Sequence, residues 1–199
     1  MSRLDRAFFA RPCLEVAPDL LGCRLVHVLS DGTRLVGRIV EVEAYLGDGT
    51  DAGSHSHRGP TARNRAMFGP PGHFYVYRSH GLHFCANLVT EPEGRGAAVL
   101  VRALEPLEGL ARMRMLRGGR DDRELTNGPG KLAQALAITL AHDATPALRG
   151  TLRLEPAREA RAVAAATSPR IGLSKGADLP YRFFLTESPW VSRRAGRAR

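Results

Sequence analysis

Glu43 stands in the run Val40-Glu41-Val42-Glu43-Ala44-Tyr45, where a carboxylate costs free energy unless it is paired or put to use. Arg102 interrupts a second apolar run, Ala97 to Leu104. A carboxylate beside a buried guanidinium suits activation of a water, because the acid accepts the proton while the cation keeps it ionised. Two plainer readings stand beside this one. Glu43 can be a solvated glutamate on an outward face, since glutamate is rarely fully buried. Arg102 can be half of a structural ion pair with Glu41 or Glu43.

Tyr45, His55, His57, Tyr75, Tyr77, His80 and His83 lie close to the glutamate in sequence. Propensity alone accounts for Tyr75 and Tyr77 as strand residues. The pairs His55-x-His57 and His80-x-x-His83 have chelate spacing, and a metal-dependent hydrolase would use them. No carboxylate motif accompanies them, so neither a metal nor a cofactor is predicted. Rings around an acid suit a planar base extruded from a nucleic acid and attacked between them.

The charge balance agrees with such a partner. Lys and Arg number 29 against 20 acids in 199 residues, a formal +9. This points to a polyanion, whose condensed counterions are released on binding, or simply to a cationic surface. Only Lys131 and Lys175 are lysines, which leaves few amines for Schiff-base chemistry. Cys13, Cys23 and Cys85 are far apart and read as small buried residues. No apolar run approaches a membrane span and the first residues lack a signal-peptide core, so a cytoplasmic protein is predicted.

Leu21–Leu29 and Arg34–Leu46 read as strands joined by a turn at Asp31-Gly32. Strict alternation in the second places Val36, Arg38, Val40, Val42 and Ala44 on one face, with Gly37, Ile39, Glu41, Glu43 and Tyr45 on the other. Gly47–Gly72 has no periodicity and is long for a structureless connection. Phe74–Tyr77 and Leu82–Asn87 form a hairpin with its tip at Ser79-His80-Gly81, followed by a strand at Ala97–Leu104. Helices are predicted from Glu105-Pro106 to Leu116, over Lys131–Ala141 with a stripe of Leu132, Leu136 and Leu140, and near Arg158–Ala166. A strand at Arg182–Leu185 and an arginine-rich, flexible tail at 193–199 complete the reading. Strands before helices, joined by hairpins, predict one α+β, or mixed α/β, domain spanning 1–199.

Several linked segments resemble the alkyladenine (3-methyladenine) DNA glycosylase family. They are Val42-Glu43-Ala44-Tyr45-Leu46-Gly47, His55-Ser56, Arg63-Asn64-Arg65-Ala66-Met67-Phe68, Pro71-Gly72, Tyr75-Val76-Tyr77 and Phe84-Cys85-Ala86-Asn87. They continue with Val101-Arg102-Ala103-Leu104-Glu105-Pro106-Leu107-Glu108-Gly109, Asp122-Arg123-Glu124-Leu125, Gly128-Pro129-Gly130-Lys131-Leu132, Ala135-Leu136-Ala137-Ile138 and Ser188-Pro189-Trp190-Val191-Ser192.

The resemblance implies a curved antiparallel sheet with a protruding β-hairpin, surrounded by helices. It also implies a monomer acting on double-stranded DNA that contains damaged purines, in base excision repair on the nucleoid. On this likeness Glu43 is the general base, and Arg102 and the main-chain carbonyl of Ile171 hold the attacking water. Tyr45, His55 and Tyr77 line the base pocket, and Asn87 screens out a purine bearing a 2-amino group. Arg63 and Lys131 fall where DNA-backbone contacts belong. One departure matters: the family's hairpin tip carries a tyrosine wedge, and here it is His80, with Leu82 as a second intercalating residue. The contrasting reading is a non-catalytic module that holds single strands on the same rings and cations.

Overall fold

The asparagine-free turn Ser30–Thr33 begins the sheet. Gly32 takes a positive φ of 82°, and Asp31 accepts a hydrogen bond from the Thr33 amide at 2.9 Å, closing β1 (Arg24–Val28) onto β2 (Arg34–Tyr45). The computed structural model describes residues 4–157 and 164–192. The predicted Arg158–Ala166 helix therefore lies partly, and the 193–199 tail wholly, outside the described residues.

β2 is the spine of the sheet. Along one edge it pairs with β5 (Ala97–Glu108); along the other its first half meets β1 and Glu41–Glu43 meet β8 (Arg182–Leu185). β3 (Phe74–Ser79) and β4 (His83–Thr90) extend the sheet beyond β5, β6 (Leu152–Glu155) flanks β1, and β7 (Ala165–Ser168) pairs with β8. Every pairing is antiparallel, and the sheet curls into a half-barrel with helices packed on it, the α+β architecture expected. Helix α2 (Cys13–Asp19), behind the single turn α1 (Arg6–Phe9), covers β2 and β5. One main core joins Val16 and Leu20 of that layer to Leu35, Ile39, Val42, Leu88, Val99 and Leu104 of the sheet. Each such fully buried side chain contributes roughly 1.5–3 kcal/mol.

Strict alternation fails in β2, with a consequence for the site. The β2–β5 register slips between Ile39 and Val42, and Val40 has no partner on β5. The bulge inverts the parity: Ile39 and then Val42 and Ala44 enter the main core, while Val40 packs behind with Ala103 and Leu185. Glu41 and Glu43 thus lie opposite Ile39, Val42 and Ala44, not beside Ile39.

Three helix expectations are corrected. β5 runs on through Pro106 to Glu108, and the helix α3 is only Leu110–Leu116, behind Gly109 at φ 79°. Pro106 faces Gly37 at a register slip, a place where a residue without an N–H is tolerated in a strand. After the short α4 (Asp122–Leu125), helix α5 spans Pro129–Ala135 against β4 and β5. It stops because Ala137 turns left-handed (φ 53°), with Ile138 N–H donating to the Ala133 carbonyl at 2.8 Å. Leu132 and Leu136 are buried, whereas Leu140 sits exposed on a separate 3-10 turn. Ala165 and Ala166 are paired in β7 and are not helical.

The long segment 47–72 carries only the 3-10 turn Arg65–Phe68 and is seated by close backbone approach. A Cβ on Gly47 would stand 2.1 Å from the Arg95 carbonyl oxygen and 2.7 Å from the Ala97 nitrogen. Gly47→Ala is expected to lower stability by about 2 kcal/mol or more. Urea unfolding checks this, and an unchanged midpoint would contradict the close approach.

Candidate active site

Glu41 and Glu43, two residues apart on β2, face the same side and are both fully buried. Two adjacent carboxylates out of water require cations and donors, and β5 and β8 supply them. Arg102 donates from Nε to Glu41 Oε1 and from Nη1 to Glu43 Oε2, each at 3.1 Å. Arg182 donates from Nε to Glu41 Oε1 at 2.7 Å. Ser192 adds its amide and hydroxyl, the latter at 2.7 Å from Glu41 Oε1. The outward, solvated alternative for Glu43 is thereby excluded, and the Arg102 ion pair is made to both acids.

Glu43 has two further donors. The Tyr45 hydroxyl donates to Oε2 at 2.9 Å and the Ile171 amide N–H to Oε1 at 2.7 Å. The resemblance implied the Ile171 carbonyl as a contact to water; the structure places the amide of the same residue directly on the carboxylate. Burial and then the neighbouring carboxylate push the Tyr45 phenol well above its ordinary range, so it stays a donor.

Arg170, which sequence reasoning missed, sets this segment in place. Its guanidinium grips both oxygens of Asp51 at 2.6 Å, donates to the Ala44 carbonyl at 3.0 Å and lies 4.6 Å from the centroid of the Tyr45 ring. Asp51 is 119 residues away in sequence, inside the segment that shows no periodicity, so no local pattern announced the pair.

Beyond Tyr45, whose hydroxyl holds Glu43, opens a ring-lined slot. Tyr45, His55, Tyr77 and Asn87, all expected there, line it together with Tyr75, Met67, Gly53 and Leu173. Tyr75 and Tyr77 share a face of β3, with centroids 5.4 Å apart, and His55 meets Tyr77 edge-on at 4.5 Å. His55 Nδ1 is 2.9 Å from the Tyr75 hydroxyl, and burial followed by the nearby Arg63 charge lowers its pKa, favouring the neutral ring. Asn87 Nδ2 donates to the Tyr75 carbonyl at 2.9 Å, which fixes the amide so that its oxygen has no protein partner among the described residues.

An open groove leads from the slot to the hairpin tip. His80 lines it with Arg63, Arg78, Arg102 and Ile171. His80 (φ 49°) and Gly81 (φ 69°) are the centre of a turn closed by Leu82 N–H to the Ser79 carbonyl at 3.0 Å. Histidine tolerates this left-handed position better than most side chains. Leu82, 75% exposed, stands at the same tip without lining the groove. Arg63 donates to the Arg78 carbonyl at 3.1 Å, and Lys131 donates to Asn127 at 2.8 Å, so both are tethered locally. Neither lysine lines the slot or the groove. Among the described residues, no three His, Cys, Asp or Glu side chains are grouped to hold a metal ion, and no helix is long and apolar enough to cross a membrane.

Comparison with known proteins places the chain in a family. The profile described as Methylpurine-DNA glycosylase matches residues 7–189. A protein of Chlorobaculum parvum is 50% identical over 192 residues, covering 96% of this chain and 91% of its own. One from Methanoculleus marisnigri is 52% identical over 194 residues (96% and 99%), and one from Carboxydothermus hydrogenoformans 48% over 195 (96% and 99%). All three bear the name "Putative 3-methyladenine DNA glycosylase". With a match that runs from α1 to the segment after β8, the chain belongs to the methylpurine-DNA glycosylase family.

Proposed function

We propose that this protein is a monofunctional DNA glycosylase: as a monomer on double-stranded DNA it extrudes an alkylated purine into the ring-lined slot and hydrolyses its N-glycosidic bond, leaving an abasic site. The observation that carries this reading is the fully buried Glu43 carboxylate held directly behind the slot and groove, by the Tyr45 hydroxyl of a ring that lines both and by Arg102 and the Ile171 amide, which line the groove. A module that only held nucleic acid would gain nothing from burying acids beneath a phosphate-binding groove.

The basic groove offsets part of the few kcal/mol that extrusion costs, a cost that is lower where damage has weakened pairing. A cationic purine such as 3-methyladenine or 7-methylguanine gains about 0.5–2 kcal/mol over an electron-rich ring face. It is also an activated leaving group. As the C1′–N bond breaks, its electron pair departs with the base and the sugar gains oxocarbenium character, which ionised Glu43 stabilises. Water then bonds to C1′ and gives its proton to Glu43, while Arg102, Tyr45 and the Ile171 amide hold the carboxylate in line. Neutral lesions such as hypoxanthine and ethenoadenine need protonation and react more slowly. Asn87 at the slot wall disfavours an exocyclic 2-amino group, so 7-methylguanine is a poorer substrate than 3-methyladenine, and His80, with Leu82, fills the gap in the duplex.

Glu43→Gln is expected to keep affinity for methylated duplex but to lose excision by roughly 10²–10⁴-fold in single-turnover assays. Near-normal turnover would refute the role of Glu43. Borohydride added during the reaction should trap no protein–DNA adduct, and strand scission should need alkali; a trapped adduct would overturn the monofunctional reading. Since imidazole is a smaller wedge than phenol, His80→Tyr should raise excision of well-stacked neutral lesions severalfold while changing that of labile cationic ones little. Equal effects on both classes would remove His80 from the wedge role.

A further inference from the structure

We infer that Glu41 is a positioning residue for this reaction: its carboxylate anchors Arg102 through Nε and so presents the other edge of the guanidinium to Glu43 and the groove. The inference rests on the proposed excision chemistry.

Glu41 is itself cut off from any substrate. It is fully buried, does not line the slot or the groove, and its oxygens are occupied by Arg102, Arg182 and both polar groups of Ser192. Arg102, by contrast, lines the groove. Its Nε goes to Glu41 and its Nη1 to Glu43, while Nη2 has no partner among the described residues and is not shut away from solvent. Because a guanidinium is planar and rigid, fixing Nε fixes where both Nη groups point. Without that anchor, the favoured alternative is a side-by-side, two-bond pairing of Arg102 with Glu43, which turns the amines out of the groove. The charge count agrees: two buried carboxylates stand against two buried guanidiniums, and neutralising Glu41 would leave one carboxylate in the cluster against two cations.

Glu41 also recruits the end of the described chain. Trp190 and Val191 pack behind β2 on Val40, Ala103 and Leu185, which brings Ser192 onto the carboxylate. The segment after β8 thus belongs to the apparatus that aims Arg102.

The test is a double-mutant cycle on single-turnover excision of 3-methyladenine from duplex DNA, using Glu41→Gln, Arg102→Gln and the pair, with binding of the same DNA followed by anisotropy. Glu41→Gln should slow excision roughly 10- to 100-fold with less than about a twofold change in Kd, and should cost nothing further in the Arg102→Gln background. A near-wild-type rate for Glu41→Gln, or losses that multiply in the double variant, would overturn the inference. A wild-type protein that does not excise would instead sink the proposed function, on which this inference depends. If thermal unfolding shows that Glu41→Gln does not fold, Ser192→Ala replaces it in the cycle. A fall of about threefold that vanishes without Arg102 supports the inference, and an unchanged rate overturns it.

Discussion

Two carboxylates withdrawn from water on one strand constrain everything around them. Taking an ion out of water costs several kcal/mol even after relaxation, and pairing repays this only when the geometry is good and the remaining lone pairs are met. Glu41 and Glu43 meet those terms with two guanidiniums, a phenol, a hydroxyl and two backbone amides. A hydrophobic replacement of the whole cluster would in general be no less stable. Its persistence in a buried position is therefore an argument for chemistry over stability.

The same constraint explains how distant parts of the chain meet. Arg102 reaches Glu43 across 59 residues, Ile171 across 128, and Ser192 reaches Glu41 across 151. β2 can accept all of them because it has partners on both edges, β5 on one side and β1 then β8 on the other. The bulge at Val40 turns the acids away from the main core while leaving Val42 and Ala44 inside it. Without that extra residue, the parity that buries Ile39 would have pointed both carboxylates into hydrocarbon.

Much of this was legible from residue types. Asp31-Gly32 announced the first hairpin, patterning announced β2, and runs rich in β-branched and aromatic residues announced β3, β4 and β8, because turn chemistry and strand propensity are local signals. Glu43, Arg102 and the rings of Tyr45, His55 and Tyr77 were visible as polar or aromatic interruptions, and they do converge. The rest depended on tertiary partners. Pro106 looked like a helix start because the slip opposite Gly37 is invisible without β2. Arg170 carried no local signal, because Asp51 and the Tyr45 ring come to it from far along the chain. Glu41 drew attention only as a possible ion-pair partner, since its role depends on Ser192 and Arg182 far along the chain.

The hairpin of β3 and β4 carries Tyr75, Tyr77 and Asn87 on its stem and His80 at its turn, all within a few residues. At about 3.3 Å per residue, the tip is only some 10 Å from Tyr77 along an unbroken strand. Stem and tip therefore behave as a single stiff lever. A displacement of the turn is thus carried directly to the rings that line the slot, so the two cannot be set independently of each other.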